Sequence, residues 1–260
     1  MQQQTRVFLA VIFVAVIVGA FLVQVRMPAG ELAEPEEARV VLPDLSEVVV
    51  AEVRKELFVD FLRPLVEYQN QQILAEREQV VGWHRTLDTR GRLSASQRRS
   101  LRQLAKRYRL DPEGRADAQL LERLLRRVDA VPVSLALSQA ANESAWGTSR
   151  FAVEGNNLFG QWCFRRDCGM VPVQRPEGAR HEVAAFESPL RSVQSYMHNL
   201  NTHNAYQSFR EMRARMRQEG EPLDSLLLAE GLLRYSTRGE EYVREVQAMI
   251  RFNDLQRFDS

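Results

Sequence analysis

Val133-Ser-Leu-Ala-Leu-Ser-Gln-Ala-Ala-Asn-Glu-Ser-Ala-Trp-Gly147 is a run of small and apolar residues with no helix breaker before its last glycine. Pro132 stands just ahead of it, where a proline suits the first turn of a helix, so the stretch predicts a helix that ends near Ala145. Helical spacing puts Ala136, Ala140 and Glu143 on one face. A carboxyl held against small apolar side chains loses solvation in its charged form. That raises its pKa and keeps it protonated, the state a general acid needs. Trp146, one turn on, is placed to wall such a site. The competing reading is a solvated glutamate near a helix end, which is the commoner fate of glutamates.

Outward from this helix the texture stays helical. Upstream, Leu120, Leu121, Leu124 and Leu125 line one side of a helix from Ala118 to Val128. Ser94 and Gln97 form a capping-box pattern that opens a helix through Leu101, Leu104 and Tyr108, stopped by Asp111 and Pro112. From Ser46, Val50, Val53, Leu57, Phe61 and Leu65 recur at three- and four-residue steps, with Pro64 marking a kink or a break. Downstream, glycines, prolines and alternating residues between Leu158 and Phe186 predict a small β-hairpin or irregular insertion. Helix restarts at Ser188-Pro189 and returns over Tyr206–Arg217, Leu223–Leu233 and Glu240–Leu255, the last behind a Thr237/Glu240 capping box. The fold class is mainly α, with neither internal repeats nor low-complexity tracts.

The 260 residues carry a formal net charge of +1, which offers no concentrated basic face and disfavours a nucleic-acid partner. The N-terminus is different. After Arg6 an uncharged apolar run extends from Val7 to Val23 and closes at Gln24 and Arg26, a pattern that is signal-like or membrane-spanning. Neither Ala29 nor Ala33 has the small residue two positions earlier that cleavage requires, so retention as an anchor is favoured. Residues 1–26 are therefore a membrane anchor or signal segment, 27–45 a proline- and acid-rich linker, and 46–112 a helical extension whose partner is unknown. Residues 113–260 form the main domain.

The segment Ala140-Ala-Asn-Glu-Ser-Ala-Trp-Gly147 resembles the catalytic-helix motif of bacterial glucosaminidases. Asn156-Asn-Leu-Phe-Gly160 follows at the interval seen in that family, and Tyr235-Ser-Thr237 with Tyr242 is similar to its Tyr-x-Thr segment and later tyrosine. The likeness covers about Ala118 to Asp259. Gln161-Trp-Cys-Phe164, Leu200-Asn-Thr-His203 and the apolar N-terminus resemble the Bax-type branch of the family in Gram-negative bacteria.

This resemblance implies a lysozyme-like helical domain with a small β-hairpin, cleaving the β-1,4 bond after N-acetylglucosamine in peptidoglycan. It implies an enzyme held at the bacterial inner membrane with its catalytic domain in the periplasm. Glu143 would be the general acid. The second carboxylate would be Glu182 on the hairpin, with Glu177 and Asp167 as rivals, unless the substrate's acetamido group attacks and none is needed. Carboxyl separation would distinguish an inverting from a retaining enzyme. Tyr235 would sit near the cleaved bond, and Trp146, Asn157, Phe159, Trp162 and Tyr242 would contact the glycan. Cys163 and Cys168, the only cysteines of an exported domain, would form a disulfide. His84, His181, His198 and His203 lack a ligand motif, so neither metal nor other cofactor is expected. The alternatives are a lytic transglycosylase or muramidase, or a wall-binding scaffold without turnover.

Overall fold

The computed structural model describes residues 41–165, 167–172 and 181–259. The expected anchor, most of the linker and Glu177 lie outside them. Among the described residues no helix is long and apolar enough to cross a membrane.

Nine α-helices and three short strands are described: α1 (Ala51–Arg90), α2 (Ala95–Arg107), α3 (Asp117–Arg127), α4 (Val133–Ser144), α5 (Arg150–Gly155), β1 (Trp162–Cys163), β2 (Gly169–Met170), β3 (Glu182–Ala184), α6 (Pro189–Thr202), α7 (Gln207–Glu219), α8 (Ser225–Ala229) and α9 (Glu240–Phe252). The helix α4 is the centre. Ten of its twelve residues are buried, and α1, α8, α9 and the C-terminal 3-10 turn all pack on it. Its alanines and serines let these neighbours approach closely.

Of the kink or break expected at Pro64, the break does not occur: α1 runs on through it. Proline removes one helical N–H, but Leu62, Leu65 and Val66 on either side are buried and hold both flanks in register. At about 1.5 Å per residue this helix is roughly 60 Å long. Its buried Phe58, Leu62, Leu65 and Ile73 belong to the same apolar cluster as Leu135, Ala140 and Tyr242, so the extension packs on the main domain. The Ser94/Gln97 capping box is present at the start of α2.

Two sequence expectations near the C-terminus are corrected. The helix expected over Leu223–Leu233 is α8 followed by a 3-10 turn at Glu230–Leu232. Gly231 lies so close to Phe209 that an added Cβ would come within 2.4 Å of its Cα. Nor does Thr237 cap α9: Gly239, at φ 53°, turns the chain into the helix without a side-chain cap.

The expected hairpin is a three-stranded antiparallel sheet in the order β1-β3-β2, with Cys163 opposite Glu182 and Gly169 opposite Ala184. Cys163 and Cys168 are joined as a disulfide. Gly169 permits the close pairing, since a Cβ there would collide with the Val183 carbonyl.

One buried charge ties the layers. Asp129, between α3 and α4, takes Arg217 at 3.0 Å, Arg77 at 3.4 Å and Arg213 at 4.0 Å. Arg213 also reaches the Asp129 and Ala130 carbonyls and Asn201 on α6. Burial pushes the Asp129 carboxyl up, but Arg213, Arg217 and Arg77 outweigh it, and its pKa falls below the ordinary 3.8. A lowered carboxyl contributes stability that is present above 3.8 and is lost as pH falls through the folded value. Asp129→Asn leaves three guanidinium groups without their buried counter-ion. Its expected cost is about 3–5 kcal/mol at neutral pH, narrowing in acid, measured by denaturant unfolding across pH.

Candidate active site

Glu143 is placed by the way α4 ends. Ala145, Trp146 and Gly147 all take positive φ, reversing the chain within one turn. Ser144 holds that reversal, donating its hydroxyl to the Ala140 carbonyl at 2.6 Å and accepting the Gly147 N–H at 2.8 Å. A side chain at Gly147 would press on Phe58 and Leu45, so the turn is seated against the extension. Glu143, just before that turn, is half-buried.

The carboxyl meets the loop that follows α5. A Cβ built on Gly160 would lie 2.8 Å from Glu143 Oε2, and at its φ of 61° any other side chain would strain the backbone as well as crowd the carboxyl. Behind it runs a buried relay. Tyr196 donates to Gln139 Oε1 at 2.6 Å, Gln139 Nε2 donates to the Tyr242 hydroxyl at 2.9 Å, and Tyr242 hydrogen-bonds the Glu143 carboxyl. Tyr235 and Tyr242 stack with ring centres 5.3 Å apart, and the Tyr235 hydroxyl donates to the Phe159 carbonyl at 2.8 Å.

Burial pushes the Glu143 pKa above its ordinary 4.5. The Tyr242 hydrogen bond and the charge of Arg238 oppose this, while Glu245 adds to it. Tyr206 is pushed up to about 12 by burial and by Glu143's own charge, and Tyr196, Tyr235 and Tyr242 also move up. These tyrosines stay protonated and available as donors.

A groove of about 330 Å³ opens beside Gly160 and Tyr235, bordered by Trp162, Tyr206, His198 and Arg109. A larger cavity, about 540 Å³, lies between α1 and the C-terminal Phe258 and Asp259 and shares no residue with the site.

Of the residues singled out from sequence, Glu143, Tyr235 and Tyr242 come together, and Trp162, 54% exposed, lines the groove. Tyr242 and Asn157 stand behind the groove. Asn157 is spent on the backbone, donating to the Gln161 and Ala184 carbonyls and accepting the Gln161 N–H. The Phe159 ring is buried and stacked on Tyr196 at 3.9 Å. Trp146 turns toward the extension, edge-on to Phe58 and beneath Lys55. Glu182 is buried, and its two oxygens accept the N–H groups of Asp167, Cys168 and Gly169. Asp167 is exposed. Cys163, Cys168 and Glu182 cluster within 4.8 Å, but sulfurs bonded to each other are not thiolate ligands.

Sequence reading missed Gln139, although its polar side chain one helical turn before Glu143 was a usable signal. It also missed Gly160 as the glycine that faces the acid, and Tyr196 and Tyr206, which no motif marks.

Residues 118–255 match the glucosaminidase family, described as mannosyl-glycoprotein endo-beta-N-acetylglucosaminidase. The chain belongs to this family. It is also 36% identical to protein bax of Escherichia coli (strain K12) over 212 residues, covering 82% of this chain and 74% of that one. No solved structure matches it. Membership makes the protein a glycoside hydrolase of Bax type, and its two most specific motifs are the ones that meet where Glu143 faces Gly160.

The raised carboxyl has a consequence for stability. Its folded pKa exceeds the unfolded value, so the native state loses stability as pH rises from about 4.5 through the folded pKa. Glu143→Gln keeps the shape without the charge. The variant should melt at a higher temperature than wild type at neutral pH, and the gain should vanish below pH 4.5 in thermal unfolding followed by circular dichroism.

Proposed function

We propose that this protein is a peptidoglycan hydrolase that cuts the β-1,4 bond after N-acetylglucosamine, with Glu143 as general acid. The observation that carries the reading is the desolvated Glu143 carboxyl, hydrogen-bonded by Tyr242 and set against Gly160, which itself borders an open groove. A carboxyl whose pKa burial raises there is better suited to pass a proton to the departing glycosidic oxygen as the bond breaks. Trp162 offers an exposed ring face to the apolar face of a pyranose. Tyr235, half-buried at the groove's edge, positions the sugar next to the cleaved bond.

Glu182 enters this reading as the internal anchor of the hairpin. Its oxygens accept three N–H groups of the Asp167–Gly169 turn, which commits the side chain to holding that loop. The attacking oxygen is therefore assigned to the substrate's own acetamido group, which displaces the leaving group at the anomeric carbon. Water then opens the resulting ring, giving up a proton to Glu143, which restores the acid.

The apolar run from Val7 to Val23 supports anchorage in the inner membrane, with the catalytic domain in the periplasm. The linker would hold it off the bilayer.

Mass spectrometry of fragments released from purified peptidoglycan by the detergent-purified full chain tests this. New reducing N-acetylglucosamine ends are expected, lost in Glu143→Gln and retained within about tenfold in Glu182→Gln, because removing one general acid costs about 10²–10⁴-fold whereas loosening the hairpin does not remove the proton donor. Anhydromuramic ends would reassign the protein to the lytic transglycosylases. A Glu182→Gln enzyme as dead as Glu143→Gln, yet folded, would make Glu182 the base.

A further inference from the structure

The groove beside Glu143 is not built by the family's region alone. Arg109, on its border, comes from the turn between α2 and α3, outside the 118–255 that match the family. The backbone at Arg109 is fixed in an unusual way. Its φ is 54°, a region that non-glycine residues seldom occupy. Its N–H reaches the Lys106 carbonyl at 3.0 Å, and its own carbonyl accepts from Arg127 at 3.2 Å. The root of the side chain is thus held, while the residue itself is exposed.

Its electrostatic surroundings are one-sided. Arg127 carries a lowered pKa from burial and from the nearby charges of Arg123 and Arg109. His198, on the same border of the groove, is lowered by burial and then by Arg109, Arg107 and Arg127. Only Arg107 in this group has an acidic partner, Glu76 at 3.0 Å. Among the described residues no carboxylate lies within ion-pair distance of Arg109, Arg123 or Arg127. Arg109, Arg123 and Arg127 thus form a positive group without an ion-paired carboxylate among the described residues, and Arg109 borders the groove. A guanidinium in that position suits a carboxylate, which it can grip by two parallel hydrogen bonds. From Trp162 and Tyr235 to Arg109 the groove changes from aromatic surface, suited to sugar rings, to cationic surface, suited to an acidic branch.

We propose that Arg109, supplied by the extension, makes one end of the groove a subsite for a carboxylate borne on a side arm of the glycan strand. The enzyme would then favour strands with acidic lactyl or peptide arms over neutral N-acetylglucosamine polymers. This rests on the glycosidase reading for the identity of the strand, but the subsite is testable by binding alone.

The test is calorimetric titration of the full chain carrying Glu143→Gln, so that no ligand is consumed, with a chitin oligosaccharide and a peptide-bearing peptidoglycan oligosaccharide of equal length. The acidic ligand should bind more tightly, and its advantage should shrink with added salt. Adding Arg109→Gln should weaken the acidic ligand about tenfold, as expected for one lost charge-assisted contact, and leave the neutral one unchanged. Arg109→Lys should keep most of the preference, which separates loss of charge from damage to the turn. Equal affinity for both ligands in the Arg109-intact protein, or an unchanged preference in Arg109→Gln, would overturn the subsite. If the preference behaves as expected but the wild-type chain releases no fragments, the subsite stands and the hydrolase reading fails.

Discussion

The structure depends on a helix that is packed on every side. Because α4 is built of serines, alanines and a few leucines, α1, α8 and α9 can all close on it, and only Asn142 and Glu143 escape full burial. A charged side chain on such a helix has one place to go. The chain reversal at Ala145–Gly147 and the glycine at Gly160 leave a pocket of the right size for a carboxyl there. The desolvation that follows is a by-product of packing, and it is also what makes the carboxyl an acid. Stability and chemistry oppose each other at this residue, as they commonly do at functional sites.

The extension is part of this arrangement. Phe58 and Leu45 close on Gly147, the residue that ends the reversal, so the first helix backs the turn that aims Glu143. Asp129 performs the corresponding task on the far side, drawing α1 through Arg77 and α7 through Arg213 and Arg217 toward the start of α4. Arg109 adds a direct contribution at the groove. A region upstream of the family's own boundaries thus supports the acid, and the shared apolar core explains why the two parts fold together.

Much of this was legible in the sequence where local rules and packing agree. Pro132, the breaker-free run after it and the capping box at Ser94 each marked a real helix end. Pro64 does not end α1, because buried neighbours on both flanks offset the loss of one hydrogen bond, and Thr237 misled because a positive-φ glycine starts α9 instead. Motifs marked the site's neighbourhood but not which side chains face the groove. Asn157 and Phe159 lie within the second motif, yet one is consumed by backbone and the other, though it borders the groove, is stacked on Tyr196, while the glycine beside them is what meets the acid. Gly160 could not be read because its importance comes from a carboxyl on another element. Arg109 was hidden for the same reason, since its place on the groove follows from how the extension packs.

The central claim is that burial raises the pKa of Glu143, and direct titration of that carboxyl tests it most closely. In a protein with carbon-13 on the glutamate side-chain carboxyls, the resonance absent from Glu143→Gln should be followed from acid to neutral pH. The account predicts a midpoint clearly above 4.5, falling toward it when the protein is unfolded. A midpoint at or below 4.5 in the folded protein would contradict it, because burial would then not be favouring the protonated carboxyl.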